Sequence, residues 1–543
     1  MVFARRSTTL LAAIIASCAM VLSLTACTSD NKTVVDGQTT VTSNSAGGVA
    51  VFTPSDGITL NQQTPLNKWA KLVPDLAKAL ADAGFKKGDI DHTTSDSLAK
   101  QSRAIQDFVV DHLSNNTTDD SGIAIAPDNM TLLVAPVVEA DASTRQYGDY
   151  ISQNLSTNDA TDEGATSDGE SSEDDSSKDD SSNTESDSTA SDEQAQAVDR
   201  LVSSLKLAKE SGMHVVLLGN SIEGYKPDAF VKFSDAQTIG KLQAEKMVSK
   251  LKLDKASKDN PKYIEVLLPY TAVDEKGNAN DSTFAQEAFR GIWQVLGSYY
   301  QKGVVESPSG TLDGKSTEND WQAVAYDAAK EGSTAKVLDK RLAKTDGQST
   351  LTRIDGIITM NDYIASAVVK ELDDLGYTGS AADINPQITI SGIVGNITGK
   401  KDLSRDAVPD PIKSPENDNA NDSSSSDDDA DEDTSASDKD RDSQWPLVTG
   451  YGAYVSNIPS IVNGKQWMTG MEDRQTIATD IAQACAKLNK DEALNSMPSI
   501  RNSEVGGVKK IPTISEPLLA VSASNLKSAL IDPGYISLAD AGL

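Results

Sequence analysis

The sequence predicts an α/β protein made of two doubly wound lobes joined by crossover hinge strands, with two disordered acidic inserts. Three observations predict it. Short apolar runs alternate with amphipathic stretches along most of the 543 residues, the rhythm of βαβ units and parallel sheets. Two long Ser/Asp/Glu runs interrupt that rhythm without ending it. The stretch Ser211–Met247 strings together a strand, a polar turn, a second strand and a new helix. Such an arrangement carries a chain from one α/β lobe into another, and the loops beyond strand carboxyl ends line the ligand crevice of open α/β sheets.

Charge is localised. The net charge is −32, but −23 of it lies between Asp159 and Glu193 and between Ser414 and Ser443. Runs this polar and self-repelling bury too little apolar surface to offset ordering entropy, so the inserts, placed at 155–194 and 400–444, are expected to be disordered spacers. Neither carries the Asp/Asn ladder with Gly and a closing Glu of a calcium loop. The sign of the charge speaks against a nucleic-acid partner.

In chain order, Arg5 and Arg6 precede a mainly apolar Leu10–Leu24, which ends in Leu24-Thr25-Ala26-Cys27. The apolar stretch is short for a membrane span. The tetrapeptide resembles the bacterial lipobox, and the resemblance implies a signal peptide over 1–26 and a diacylglyceryl group on Cys27. Two acyl chains suffice for stable anchoring, so the expected location is the extracytoplasmic face of the cell membrane. Of three cysteines, Cys18 leaves with the signal and Cys27 is acylated, so Cys485 is expected to be a buried apolar residue. Residues 27–48 are a polar tether. The N-lobe is expected over 49–232. It has strands at Val49–Thr53 and Gly88–Asp91, an amphipathic helix Leu66–Ala83, a helix Leu98–Leu113, an apolar run Met130–Val138 and a helix Ala197–Lys209. His214–Leu218 reads as a buried strand, Gly219-Asn220-Ser221 as a turn, and Phe230–Phe233 as a strand opening into a helix near Ser234-Asp235.

The C-lobe is expected over 233–470. Its strands are Tyr263–Leu268, Ile354–Thr359, Ile388–Ser391, Pro446–Thr449 and Gln466–Thr469. Its helices are Phe284–Leu296, Trp321–Ala329, Lys336–Ala343, Ile364–Leu375 and Ile458–Val462. A return helix, Thr476–Leu488, lies within 471–500, and 501–543 forms a tail across the hinge.

Several stretches then resemble one family, the type I periplasmic sugar-binding proteins of the xylose and multiple-sugar type that serve ABC transporters. Phe233-Ser234-Asp235-Ala236 and Gly240-Lys241-Leu242-Gln243-Ala244 are similar to that family's crossover, Phe289-Arg290-Gly291 to a C-lobe helix, and Ile461–Arg474, IVNGKQWMTGMEDR, to a C-lobe turn and crossing. Ile511-Pro512 through Asp532-Pro533-Gly534-Tyr535 is similar to the family's tail. The resemblance implies a polyol held between an aromatic face and bidentate polar side chains. Residue by residue, it places Lys68 and Trp69 at the first helix, Asn220 and Ser221 after the crossover strand, Asp235 at the crossing, and Asn361 and Asp362 at a C-lobe strand end. The family's carboxylate turn becomes Gly450-Tyr451-Gly452, or on another alignment Ser391-Gly392-Ile393-Val394. Ala236 replaces an Asn and Glu472 a Lys. Losing bidentate groups costs a buried polyol about 1–3 kcal/mol for each partner left unpaired. The expected guest is therefore a different sugar-like molecule, with Tyr451 or Trp321 as a stacking face and Glu472 as an acceptor.

Catalysis has little support. His92, His112 and His214 are scattered, Gly219–Gly224 is out of register for a nucleophile elbow, and no nucleotide loop or paired-Cys metal spacing is present. The expectation is a monomeric, lipid-anchored solute-binding protein of an ABC importer, without a cofactor. It would close two lobes about crossovers near Lys232, Arg353–Asn361 and Gln466–Thr469. The alternative is a surface lipoprotein that uses the same fold as a structural or sensory module with a degenerate cleft.

Overall fold

The computed structural model describes residues 33–35, 38–40, 46–55, 65–115, 125–138, 144–157, 184–273, 279–343, 351–382 and 445–543. The signal peptide, Cys27, the strand at Ile388–Ser391, the turn at Ser391–Val394, the insert at 400–444 and residues 158–183 of the other insert lie outside the described residues. In the first of two units, Thr33–Val35 pairs antiparallel with Gln38–Thr40 inside the expected tether. Residues 45–543 form the other unit, whose described residues hold two large sheets and two two-stranded pairs.

The N-lobe sheet has the strand order Ile500–Val505, Val508–Ser515, Ala229–Lys232, His214–Leu218, Met130–Val134, Gly48–Pro54, Ile90–Ser95. Every pairing is parallel except the first, a hairpin. Both faces are covered, which is why Met130–Val134 reads as an unbroken apolar run, MTLLV, buried throughout. Successive side chains point to opposite faces. Val49, Val51, Leu133, Val216 and Leu218 therefore meet the helices Trp69–Asp82 and Arg474–Leu488. Ala50, Phe52, Leu132, Val134, Val215 and Leu217 meet the helices Leu98–Asn115 and Thr184–Glu210. Trp69, Leu72, Leu76 and Leu80, spaced by three or four, are the buried stripe of the first helix.

The C-lobe sheet runs Val305–Glu306, Lys262–Val266, Gly356–Ile358, Leu447–Tyr451, Met468–Met471, Leu519–Ser522, with only the last strand antiparallel. Helices Ala236–Lys250 and Thr283–Gln301 cover one face. Ser333–Arg341 and Asp362–Asp374 cover the other. Asp235 starts the helix Ala236–Lys250 as its cap, accepting the Thr238 amide at 2.7 Å.

The chain passes between the sheets three times: from Lys232 to Ala236, from Met471 to Arg474, and from Ser515 to Leu519. The crossover expected at Arg353–Asn361 is not one of them. Gly356–Ile358 is paired on both sides within the C-lobe sheet, and the polar Asn361 at its end caps a helix instead. The third passage, Ser515–Leu519, lies within 501–543, the expected tail. The helix expected over Trp321–Ala329 stops at Val324. There Ala325-Tyr326 pairs with Leu268-Pro269, and the Arg341 guanidinium takes the Val324 carbonyl at 2.9 Å. The helix expected at Ala197 begins at Thr184, and the strand expected at Gly88–Asp91 runs from Ile90 to Ser95.

Candidate ligand-binding site

A cavity of about 520 Å³ lies at the carboxyl ends of the N-lobe strands. Pro54 and Ser55 follow one strand, Ser95, Asp96 and Ser97 another, Val137 and Val138 a third, and Asn220 a fourth; all of them line it. Lys68 and Trp69 enter from the start of their helix, and the segment from Thr144 to Gln153 forms a further wall. Lys68 Nζ lies 2.7 Å from Asp149 Oδ1, whose second oxygen accepts the Trp69 amide at 3.2 Å. Trp69 packs edge-on against Tyr150 and Phe233, with centroids 5.1 and 5.7 Å away. Asn220 is buried and pins two loops together. Its Nδ2 donates to the Pro136 carbonyl, and its Oδ1 accepts the Gln153 amide, both at 2.9 Å. Ser221 is outside the lining and donates to Asn154 at 2.8 Å.

The C-lobe residues singled out from sequence sit elsewhere. Tyr451 is fully buried; its hydroxyl receives Asn67 Nδ2 at 3.0 Å and lies 2.5 Å from Ser234 Oγ. Glu472 accepts the Ser234 amide at 2.6 Å, so it ties the first passage to the second. Burial pushes its carboxyl up to about 7, and a hydrogen bond from Ser234 opposes the rise. Asp362 is buried too. It accepts Gln466 Nε2 at 2.7 Å, and Thr469 Oγ1 and the Tyr454 amide each at 2.9 Å. Desolvation still lifts it to about 6. Asn361 Oδ1 caps the next helix through Ile364 at 2.9 Å, while its Nδ2 donates to Gln146 at 3.1 Å. Asp235 is a cap that pairs with Lys232 at 2.8 Å. Trp321 packs edge-on against Tyr270, centroids 5.1 Å apart, in the C-lobe core.

The structure thus brings Lys68, Trp69 and Asn220 together at one cavity. Tyr451, Trp321 and Glu472, expected as stacking face and acceptor, do not line it. For Tyr451 the reason is a segment that the sequence pattern does not single out, Arg145-Gln146-Tyr147-Gly148-Asp149-Tyr150. It leaves the N-lobe and fills the gap to the C-lobe. Tyr147 is buried, with its ring 4.7 Å from Phe284 and 6.2 Å from Tyr451, and Tyr454 donates to the Gln146 carbonyl at 2.6 Å. Gly148 sits against Asn67, where an added Cβ would lie 2.5 Å from the Asn67 carbonyl. Its φ of +97° also favours glycine. The legible signal was two tyrosines and a glycine crowded into a stretch that is otherwise Ser- and Asp-rich.

Among the described residues no group of three or more His, Cys, Asp or Glu could hold a metal ion, and no helix is long and apolar enough to cross a membrane. Cys485 is buried and its thiol is pushed up by desolvation.

Two doubly wound sheets, three passages between them and a cavity at strand carboxyl ends define the type I periplasmic-binding architecture. No family model and no curated relative matches the chain. Among solved structures, the chain is similar to an ABC transporter solute-binding protein from Clostridium phytofermentans with bound β-D-glucose. The TM-score is 0.44 at 17% identity, covering 91% of this chain and 99% of that one. It is similar to a carbohydrate transporter solute-binding protein from Chloroflexus aurantiacus in complex with D-glucose, with a TM-score of 0.41, 18% identity, and 92% and 98% covered. An arabinose-binding protein from Geobacillus stearothermophilus matches with a TM-score of 0.41 at 10% identity, with 89% and 99% covered.

Proposed function

We propose that the chain is a solute-binding protein of an ABC importer, held on the extracytoplasmic face of the membrane by acylated Cys27 and working as a monomer. On this reading it takes a small, sugar-like molecule at the N-lobe cavity and presents it to a permease. The observation that carries the reading is the cavity itself. Its volume, about 520 Å³, lies in the range that holds small ligands, about 300–1,000 Å³. It sits where an open α/β sheet places ligands. Lys68, the Gln153 side chain and serines of the lining offer donors and acceptors of the kind hydroxyl groups need, with Asn220 holding two of the surrounding loops in place and the edge of Trp69 as apolar contact.

A second reading, a structural or sensory module of the same fold, is favoured by one specific observation. Asn361, Asp362, Tyr451 and Glu472 all spend their polar atoms on the protein's own groups. A thermal-shift screen of the full chain against monosaccharides, oligosaccharides, polyols and nucleosides separates the two. Saturable stabilisation by one class, weakened at least tenfold in Lys68→Ala, supports solute binding. A flat response to every class supports the module and overturns import.

A further inference from the structure

Building on the solute-binding reading, we infer that Arg145 is the specificity-determining residue of the N-lobe cavity. It selects a sugar-like molecule that carries an anionic group, a carboxylate or a phosphate.

The charged groups of the lining are few. Lys68 and Asp149 neutralise one another at 2.7 Å, and Asp149 is further occupied by the Trp69 amide. Asp96 is matched by Lys100, also at 2.7 Å, one helical turn along. That leaves the Arg145 guanidinium, which lines the cavity with no ion pair and no side-chain hydrogen bond among the described residues. Among the described lining groups it is thus the one positive charge without a partner, on a planar fork of donors, the group best shaped for bidentate contact with a carboxylate or phosphate.

The neighbouring residues fix where that fork stands. The Gln146 carbonyl accepts from Tyr454 and its side chain from Asn361, and Tyr147 is buried between the lobes. Arg145 thus stands on a stretch held from the C-lobe at Gln146 and from the N-lobe at Asp149, which meets Lys68 and the Asn67 carbonyl, while its own side chain is exposed. Ser55 and Ser95 on the facing loops face the hydroxyls of the same molecule.

The test is titration calorimetry of the full chain with glucose, glucuronate, galacturonate, glucose 6-phosphate and inorganic phosphate. The expected result is binding of a uronate or the sugar phosphate at least tenfold tighter than glucose. Arg145→Gln removes that preference, Arg145→Lys restores part of it, and the melting temperature of both variants stays within about 2 °C of the parent. Uronate against sugar phosphate tells which anion is read, and inorganic phosphate binding as tightly as the sugar phosphate would sink the sugar-like part. A neutral hexose that binds as well as the acids, unaffected by Arg145→Gln, overturns this inference and leaves solute binding standing. No binding of any probe overturns both.

Discussion

Glu472 is a carboxyl kept from water where two passages of the chain meet. Its folded-state value of about 7 stands above the ordinary 4.5, so the native state keeps a proton that the unfolded chain releases between those values. The sign follows from linkage: relative stability is greatest below about pH 4.5 and is lost as pH rises through about 7. Glu472→Gln keeps an oxygen for the Ser234 amide and removes the cost of ionising a buried acid. The variant should exceed the parent in stability at pH 8 by up to about 3 kcal/mol, with the gap closing toward pH 4.5. Urea denaturation at the two pH values measures this, and an equal difference at both would refute the assignment. Asp362 is a second buried carboxyl lifted by desolvation, to about 6, with Gln466, Thr469 and Tyr454 all donating to it.

Among the elements, the helix pair Ala236–Lys250 and Thr283–Gln301 shows how sequence sets a packing distance. An added Cβ at Gly240 would lie 2.2 Å from the Ala288 carbonyl, and one at Gly291 would lie 2.0 Å from that of Gln237. Backbone meets backbone at both points, and backbone has no room to yield. Gly291→Val should therefore cost roughly 2–4 kcal/mol, the range of overpacking and more, read as a lowered denaturation midpoint. Gly310→Ala, where an added Cβ meets nothing within 4 Å but φ is +70°, should cost only about 1 kcal/mol. If the two variants melt alike, close packing is not what these helices depend on. The expected strand His214–Leu218 and helix Ile458–Val462 coincide with the observed bounds, because an apolar run bounded by turn residues and a Pro-led helix are both local signals. Trp321–Ala329 was misread as one helix because what ends it, the Arg341 guanidinium on the Val324 carbonyl, comes from a different helix.

Across the whole molecule, the two lobes touch through the protein's own side chains. Asn67 reaches Tyr451, Gln146 reaches Asn361, and Tyr147 packs on Phe284. Tyr147→Ala removes a buried aromatic, which costs about 3–5 kcal/mol, and should let the lobes part. Solution scattering of the variant should show a larger radius of gyration than the parent. An unchanged radius at reduced stability would mean that the lobes are held by the three passages alone.

Alternation of apolar runs with amphipathic stretches determined the two doubly wound lobes, because period and turn residues are local properties written within a dozen positions of chain. Lys68, Trp69 and Asn220 are singled out by family resemblance, as part of a wider set that also holds C-lobe residues. Tertiary structure alone decided that Arg145–Tyr150 fills the gap between the lobes and packs on Tyr451, and that Glu472 is buried on Ser234. Asn67 and Tyr451 stand 384 residues apart, and a hydrogen bond over that span leaves no periodicity in the sequence. It exists only because the two sheets bring the ends of their strands together.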